Sequence, residues 1–351
     1  MIFRQLYDSD SSTYTYLLAD AATLEGVIID PVFEQATRDL ALINELGINL
    51  LFSIDTHCHA DHVTASWLLK QKTGCKVAVA KVVGAEHVDV ELVHGDQIGF
   101  GMHSLEVRAT PGHTDGCLTY VLDDRSMAFT GDTLLIRGCG RSDFQQGDAS
   151  TLFHSITDEI LSLPDNCLIY PAHDYNGRTV SSVAEERVHN ARIGGNANER
   201  DFVEFMNAMR LPHPKSIDIA LPANLKSGKP SEDALSDEPA WAPARVTFAG
   251  IVELEPEWVA RERDRLCILD VRGDDELNAG NSRISIDYQI PLNELRDRTG
   301  EIESDKPLAV FCRSGRRSAI AVSILKQAGF ERVANISGGL LKWKENGLPV
   351  T

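Results

Sequence analysis

The stretch Phe52–Ser66, "FSIDTHCHADHVTAS", sets three histidines and an aspartate within six positions, directly after an apolar run. Imidazole and carboxylate are metal ligands, and His57, His59, Asp61 and His62 are numerous enough for more than one ion. The preceding "LLFSID" reads as a buried strand. The cluster therefore falls on a loop at a strand end, where binding residues concentrate. Three further signatures extend it: "TPGHTDG" supplies His113, "FTGDTLL" supplies Asp132 and "YPAHDY" supplies His173. Each lies where a strand gives way to a turn, so the loops can converge at one sheet edge. A lone histidine is more often a surface or satisfied core residue. The ordered set H-x-H-x-D-H, G-H, G-D and A-H is a metal-binding pattern.

Around the cluster, "TYTYLLAD", "GVIIDPV" and "KVAVA" read as strands. "EQATRDLALINELG" has helical periodicity stopped by Gly47, and "ASWLLKQKTG" is a short helix closed by Gly74. "HSLEVRATPGHTDGCLTYVLDD", "SMAFTGDTLLI" and "LIYPAHDYNG" carry strands with polar ends, and a long polar helix is expected to begin near Val180. Residues 226–245, "KSGKPSEDALSDEPAWAPAR", are rich in Pro, Ser, Asp and Glu without periodicity, as a linker is. The pattern then restarts: helix "EPEWVARERD", strand "CILDV", helix "LNELRDR", strand "PLAVFC", helix "SAIAVSILKQAGF", strand "VANI". That alternation describes a small parallel-sheet domain. The expected division is residues 1–225, a linker at 226–245, and residues 246–351.

A length of 351 residues agrees with two domains. The net charge of −18 argues against a nucleic-acid surface, so any anionic substrate must be met by a few local cations. Seven scattered cysteines without a C-x-x-C pair suit a reducing compartment. The N-terminus "MIFRQLYDSD" has no signal-peptide pattern, and no apolar run reaches membrane-spanning length. The expectation is a soluble cytoplasmic protein without nucleic-acid or membrane partners; a homo-oligomer is left open.

The ordered metal pattern resembles the metallo-β-lactamase superfamily over roughly residues 1–226. The resemblance implies an α/β fold, a four-layer αβ/βα sandwich with metal at one edge. The phrases "GDTLLIRGCGRSDFQQGD", "LPDNCLIYPAHDYNG" and "LPANLKSG" are similar to persulfide dioxygenases within it. That resemblance implies oxidation of glutathione persulfide by O2 and water to sulfite and glutathione at one Fe(II) per chain. It assigns the iron to His57, His113 and Asp132, and makes His59, Asp61, His62 and His173 supporting hydrogen-bonding groups. Two imidazoles and one carboxylate leave positions open on Fe(II) for substrate and O2. All seven ligand-type residues are present, so the ligand set alone leaves one or two metals, iron or zinc, open. The family comparison further points to Arg141, Tyr175 and Arg192 for glutathione, and guanidinium groups suit carboxylates.

In "VFCRSGRRSAIAVSILKQAGF" a strand ends at Cys312 and turns through C-x-x-G-x-R into a helix. Backbone N–H groups of such a loop stabilise a negative sulfur. Gly315 permits the tight turn, and Arg313, Arg316 and Arg317 favour a thiolate. With Ser314 these residues form a loop that resembles rhodanese sulfurtransferases. The resemblance spans about residues 246–351, implies a rhodanese-like three-layer domain, and makes Cys312 the carrier of sulfur between thiosulfate and glutathione. The chain departs from the family in "AGNSRISIDYQIPL", which lacks the usual histidine before Ile-Pro. Two other readings compete: a two-metal thioester hydrolase resembling glyoxalase II, and a sulfur carrier or sensor whose metal is structural.

Overall fold

Short strands, many of them buried on both faces, build the chain into layers, and the layers bring the strand ends together. The structure, a computed structural model, describes residues 1–209, 216–230, 241–278, 284–303 and 305–350. The chain divides into two compact units, Met1–Asp233 and Ala234–Thr351. Among the described residues no helix is long and apolar enough to cross a membrane.

The first unit holds two six-stranded sheets. One runs in sequence order from β1 (Ile2–Asp8) and β2 (Thr13–Ala19) through β3 (Glu25–Ile29), β4 (Asn49–Ile54) and β5 (Lys76–Ala80) to β6 (Val90–Leu92). The other comprises β7 (Gln97–Phe100), β8 (His103–Ala109), β9 (Leu118–Leu122), β10 (Met127–Gly131), β11 (Leu168–Pro171) and β12 (Ser181–Ser182). Successive strand residues face opposite sides. Tyr16, Leu18, Val27 and Ile29 therefore meet Phe100, Val107, Tyr120 and Phe129 between the sheets. Leu17 and Ile28, on the other face of the first sheet, pack with Ala36, Leu42 and Ile43 of α1 (Ala36–Glu45) and Leu69 of α2 (Ser66–Thr73). Val121 and Ile169, on the outer face of the second, pack with Leu152 of α3 (Ala149–His154), Val183 of α4 (Val183–His189) and Phe202 of α5 (Glu199–Ala208). This is the expected four-layer sandwich. A further helix, α6 (Ile217–Asn224), follows.

Two sequence expectations change. The long polar helix near Val180 is instead β12 followed by two short helices. Asn190 turns extended (ψ 123°) at the end of α4, and its side chain donates to Gly138 O at 2.9 Å and to Glu186 at 2.7 Å. Asn198 then caps α5 by accepting from Asp201 N. The expected linker also begins on packed residues. Ser227 is buried, its Oγ donates to Glu86 O at 2.6 Å, and its carbonyl accepts from Trp67 N. Residues 231–240 of that stretch lie outside the described residues.

The second unit has one sheet, in which β13 (Arg245–Val246) pairs antiparallel with β14 (Val252–Leu254) at the edge. From β14 the order runs through β18 (Val333–Ile336), β17 (Leu308–Phe311) and β15 (Cys267–Asp270) to β16 (Tyr288–Gln289), all parallel. Helices α7 (Pro256–Arg261), α8 (Asp274–Asn278), α9 (Leu295–Arg298), α10 (Arg316–Gln327) and α11 (Gly339–Glu345) alternate with the strands. Leu269 and Val310 pack on Ala321, Val322 and Leu325 of α10 and Leu295 of α9. Ile268 and Phe311 pack on Val259 of α7 and Leu340 and Trp343 of α11. A parallel sheet with helices on both faces is a three-layer domain.

Candidate metal centre and sulfur-transfer loop

The strand ends deliver the expected residues to one place. His57, Cys58, His59, Asp61 and His62 follow β4, His113 lies between β8 and β9, Asp132 follows β10 and His173 follows β11. His57, His113 and Asp132 present one ligand atom each within 4.8 Å of one another. His59, Asp61, His62 and His173 form a second such group, and Asp30, Asp55 and His59 a third.

The hydrogen bonds assign jobs within this cluster. His113 Nδ1 donates to the Arg141 carbonyl at 2.6 Å, which leaves Nε2, 3.7 Å from Asp132 Oδ2, as the atom it could offer a metal. His57 Nδ1 lies 3.0 Å from Thr56 Oγ1, and that hydroxyl donates to Asp30 Oδ2 at 2.9 Å. Asp30 also accepts from Thr56 N and lies 3.1 Å from His59 Nε2. His173 lies between two carboxylates, Nδ1 at 2.6 Å from Asp132 and Nε2 at 2.9 Å from Asp61. His62 Nδ1 lies 2.8 Å from Asp61, and Thr13 Oγ1 reaches Asp61, His62 and His173. Such partners orient ligands and fix their tautomers.

Electrostatics follow the same division. Burial, reinforced by His59 and His113, pushes His57 well below its ordinary value, keeping it neutral as a metal-bound imidazole must be. Burial alone would raise Asp132, but His173, His57 and His113 outweigh it and hold the carboxyl far down. Burial opposes charge on His173, yet Asp132 and Asp61 raise it well above the usual range. His59 rises to about 9 despite burial, because of Asp30. Burial lifts Cys58 to about 12, so it is no thiolate. Two imidazoles and an ionised carboxylate with unoccupied donor atoms fit a divalent metal.

A loop at residues 138–141 supports His113. Gly140 is required there: a Cβ would lie 2.4 Å from the Asp132 carbonyl and 2.8 Å from His113 Nδ1. Arg192 donates to the Cys139 carbonyl and lies with its guanidinium carbon 6.0 Å from the Phe205 ring centroid. Arg141 pairs with Asp143 through two bonds, at 2.6 and 2.7 Å, and stacks on Phe144 at 3.9 Å. Tyr175 is 70% exposed and its ring stacks on His173, 6.1 Å apart at 5°. Arg192 thus touches the loop that holds His113, which its position in the sequence could not indicate.

Sequence reasoning missed Asn224. This buried residue accepts from Thr64 N at 2.8 Å and donates to the His59 and His62 carbonyls at 2.9 Å each. The signal was present in "LPANLKSG", but nothing local ties it to histidines about 160 positions away.

In the second unit Cys312 follows β17 and is fully buried. Gly315 N and Ser318 Oγ each lie 3.2 Å from its Sγ. Gly315 has φ +83° and caps α10, a conformation that glycine adopts without strain. Arg313, Ser314 and Arg316 are exposed, whereas Arg317 is held bidentately by Glu276. Of the divergent stretch, residues 279–283 lie outside the described residues.

Comparisons with known proteins agree with this class. Residues 9–173 match the metallo-beta-lactamase superfamily, and residues 255–346 match the rhodanese-like domain. Mitochondrial persulfide dioxygenase ETHE1 of Mus musculus is 53% identical over 229 residues, covering 65% of this chain and 89% of that protein. The Homo sapiens protein of the same name is also 53% identical, with the same coverage. The crystal structure of ETHE1 from Myxococcus xanthus has 50% identity and a TM-score of 0.63, covering 65% of this chain and all of that one. A metallo-beta-lactamase structure from Staphylococcus aureus is 21% identical with a TM-score of 0.61, covering 97% of this chain and 98% of that one, and shows the fold alone. The fold and the His/Asp cluster therefore define a metallo-β-lactamase-superfamily protein with a rhodanese-like domain. Within that class, the chain belongs to the persulfide dioxygenase family.

Proposed function

We propose that the first unit oxidises the outer sulfur of glutathione persulfide at a single ferrous iron held by His57, His113 and Asp132. The balanced reaction takes glutathione persulfide, O2 and water to glutathione, sulfite and two protons. One observation supports the single-metal reading: His173 lies between two carboxylates, Nδ1 at 2.6 Å from Asp132 and Nε2 at 2.9 Å from Asp61, the placement of a group that orients a ligand. When bound, the iron would supply open coordination positions and, unlike zinc, redox capacity. The protein's part is positional. Arg141 O fixes the His113 tautomer, Thr56 and Asp30 fix His57, and His173 holds one oxygen of Asp132 so that the other is free. Arg141 and Arg192 are the cations proposed to receive the glutathione carboxylates, with Tyr175 at the exposed rim.

The second unit moves sulfane sulfur between thiosulfate and glutathione. The Cys312 thiolate attacks the outer sulfur of thiosulfate, the S–S bond breaks and sulfite leaves. Glutathione thiolate then takes that sulfur as glutathione persulfide, restoring Cys312. The Gly315 N–H and Ser318 hydroxyl stabilise the thiolate in both steps.

A two-metal hydrolase is the second reading. Its support is that His59 Nδ1 and His62 Nε2 are buried without hydrogen-bond partners among the described residues. A hydroxyacylglutathione hydrolase from Brucella ovis is 31% identical over 215 residues. Supplying glutathione persulfide to iron-loaded protein in an oxygen electrode separates the two. Oxygen uptake with sulfite release is expected; hydrolysis of a glutathione thioester without oxygen uptake overturns the proposal.

A further inference from the structure

We infer that Asn224, at the C-terminal end of α6, is a positioning residue for the metal-binding loop. Its three polar bonds go to main-chain groups of one short segment: Nδ2 to the His59 and His62 carbonyls, Oδ1 from the Thr64 N–H. A primary amide offers two N–H donors and an acceptor oxygen, and here both faces are used. The segment His57–Thr64 is almost entirely irregular, so no ladder of its own fixes its path. Cross-bonds from a helix end supply that constraint.

The consequence is directional. Asn224 fixes where the His59 and His62 carbonyls lie, which constrains how the two rings project from the same backbone. His59 then reaches Asp30, the carboxylate that also holds Thr56 beside His57, and His62 reaches Asp61 beside His173. One side chain thereby steadies both supporting routes to His57 and Asp132.

The turn that follows anchors Asn224 itself. Trp67 N donates to Ser227 O, Glu86 N donates to Leu225 O, and Ser227 Oγ donates to Glu86 O. These bonds hold the helix end without touching the histidine loop. They provide an internal control, because breaking one weakens the turn while sparing the Asn224 amide.

Asn224→Asp keeps the shape but turns an anionic oxygen toward two carbonyls. In the full-length protein we expect metal affinity to fall about 10- to 100-fold in chelator competition. The visible absorption of the cobalt-substituted protein should change, while circular dichroism stays that of the native fold. Turnover number should fall with the KM for persulfide unchanged. Ser227→Ala should lower the melting temperature yet leave metal affinity within about twofold, because the Asn224 amide keeps all three of its bonds. Should Asn224→Asp fail to fold, Asn224→Ser, which leaves room for water, takes its place with the same expectation. Metal affinity and cobalt spectrum unchanged in a folded variant would overturn the inference. So would affinity that falls only in step with melting temperature, equally in Ser227→Ala. The inference rests on the metal-site reading above, but chelator competition is independent of the reaction catalysed. Absence of persulfide oxidation would therefore defeat the proposed function and leave this test standing.

Discussion

His173 donates through Nδ1 to Asp132 at 2.6 Å, while its Nε2 lies 2.9 Å from Asp61. This single imidazolium ties a proposed iron ligand to the carboxylate that contacts His62. In the proposed single-iron site, seven ligand-type residues need not bind seven times, because four of them would orient the other three.

His173→Gln can reach only one of those carboxylates. Iron affinity is expected to drop about 10- to 100-fold, read by chelator competition, with oxygen uptake reduced in proportion. Full affinity in the variant would remove His173 from the support of Asp132.

Arg192→Ala should raise the KM for glutathione persulfide about tenfold, more than it lowers kcat, if the guanidinium receives a remote carboxylate equally in ground and transition states. The structure adds a second outcome to watch. Because Arg192 donates to the Cys139 carbonyl beside Arg141, a variant with normal KM but weakened metal binding would make it a loop support alone.

The residues that converge as candidate metal groups were legible because H-x-H-x-D-H is local and each remaining member follows an apolar strand. The strands were legible as short apolar runs, but the four-layer arrangement was implied by the family resemblance alone: Tyr16-Leu17-Leu18 is buried throughout and divides between two cores without any alternation to read. What stayed hidden depends on contacts made to backbone. Asn224 grips carbonyls distant in sequence, and carbonyls carry no residue identity to read. The break after α4 was hidden for the same reason: Asn190 leaves helical geometry to donate to Gly138 O. The bidentate Arg317–Glu276 pair likewise joins residues 41 apart.

Cys312→Ser should eliminate sulfur transfer from thiosulfate while leaving oxidation of supplied glutathione persulfide within about twofold, since a serine hydroxyl forms no comparable persulfide. Coupled oxygen uptake from thiosulfate plus glutathione should fail in the variant and recover when glutathione persulfide is added. Uptake that persists from thiosulfate would mean that another group carries the sulfur.

Asp39 supplies a pH dependence unconnected to the metal. Its side chain is fully buried in α1, Oδ1 accepts from Arg38 Nε at 2.8 Å and Oδ2 has no hydrogen-bond partner among the described residues. Burial raises it to about 6 against the pull of Arg38. A folded value above the unfolded one means that its contribution to stability is present below about pH 4 and lost as pH rises through about 6. The gap is worth up to about 3 kcal/mol. Asp39→Asn should therefore be close to neutral at pH 4 and stabilising at pH 8, read from the urea midpoint. Identical differences at the two pH values would contradict this.

The central claim is one functional iron per chain, and titrating ferrous iron into metal-free protein while following oxygen uptake with glutathione persulfide tests it most directly. Uptake should rise linearly and break at one iron per chain, with one sulfite formed per O2 consumed. A break at two metals per chain, or loaded protein that consumes no oxygen, would contradict it.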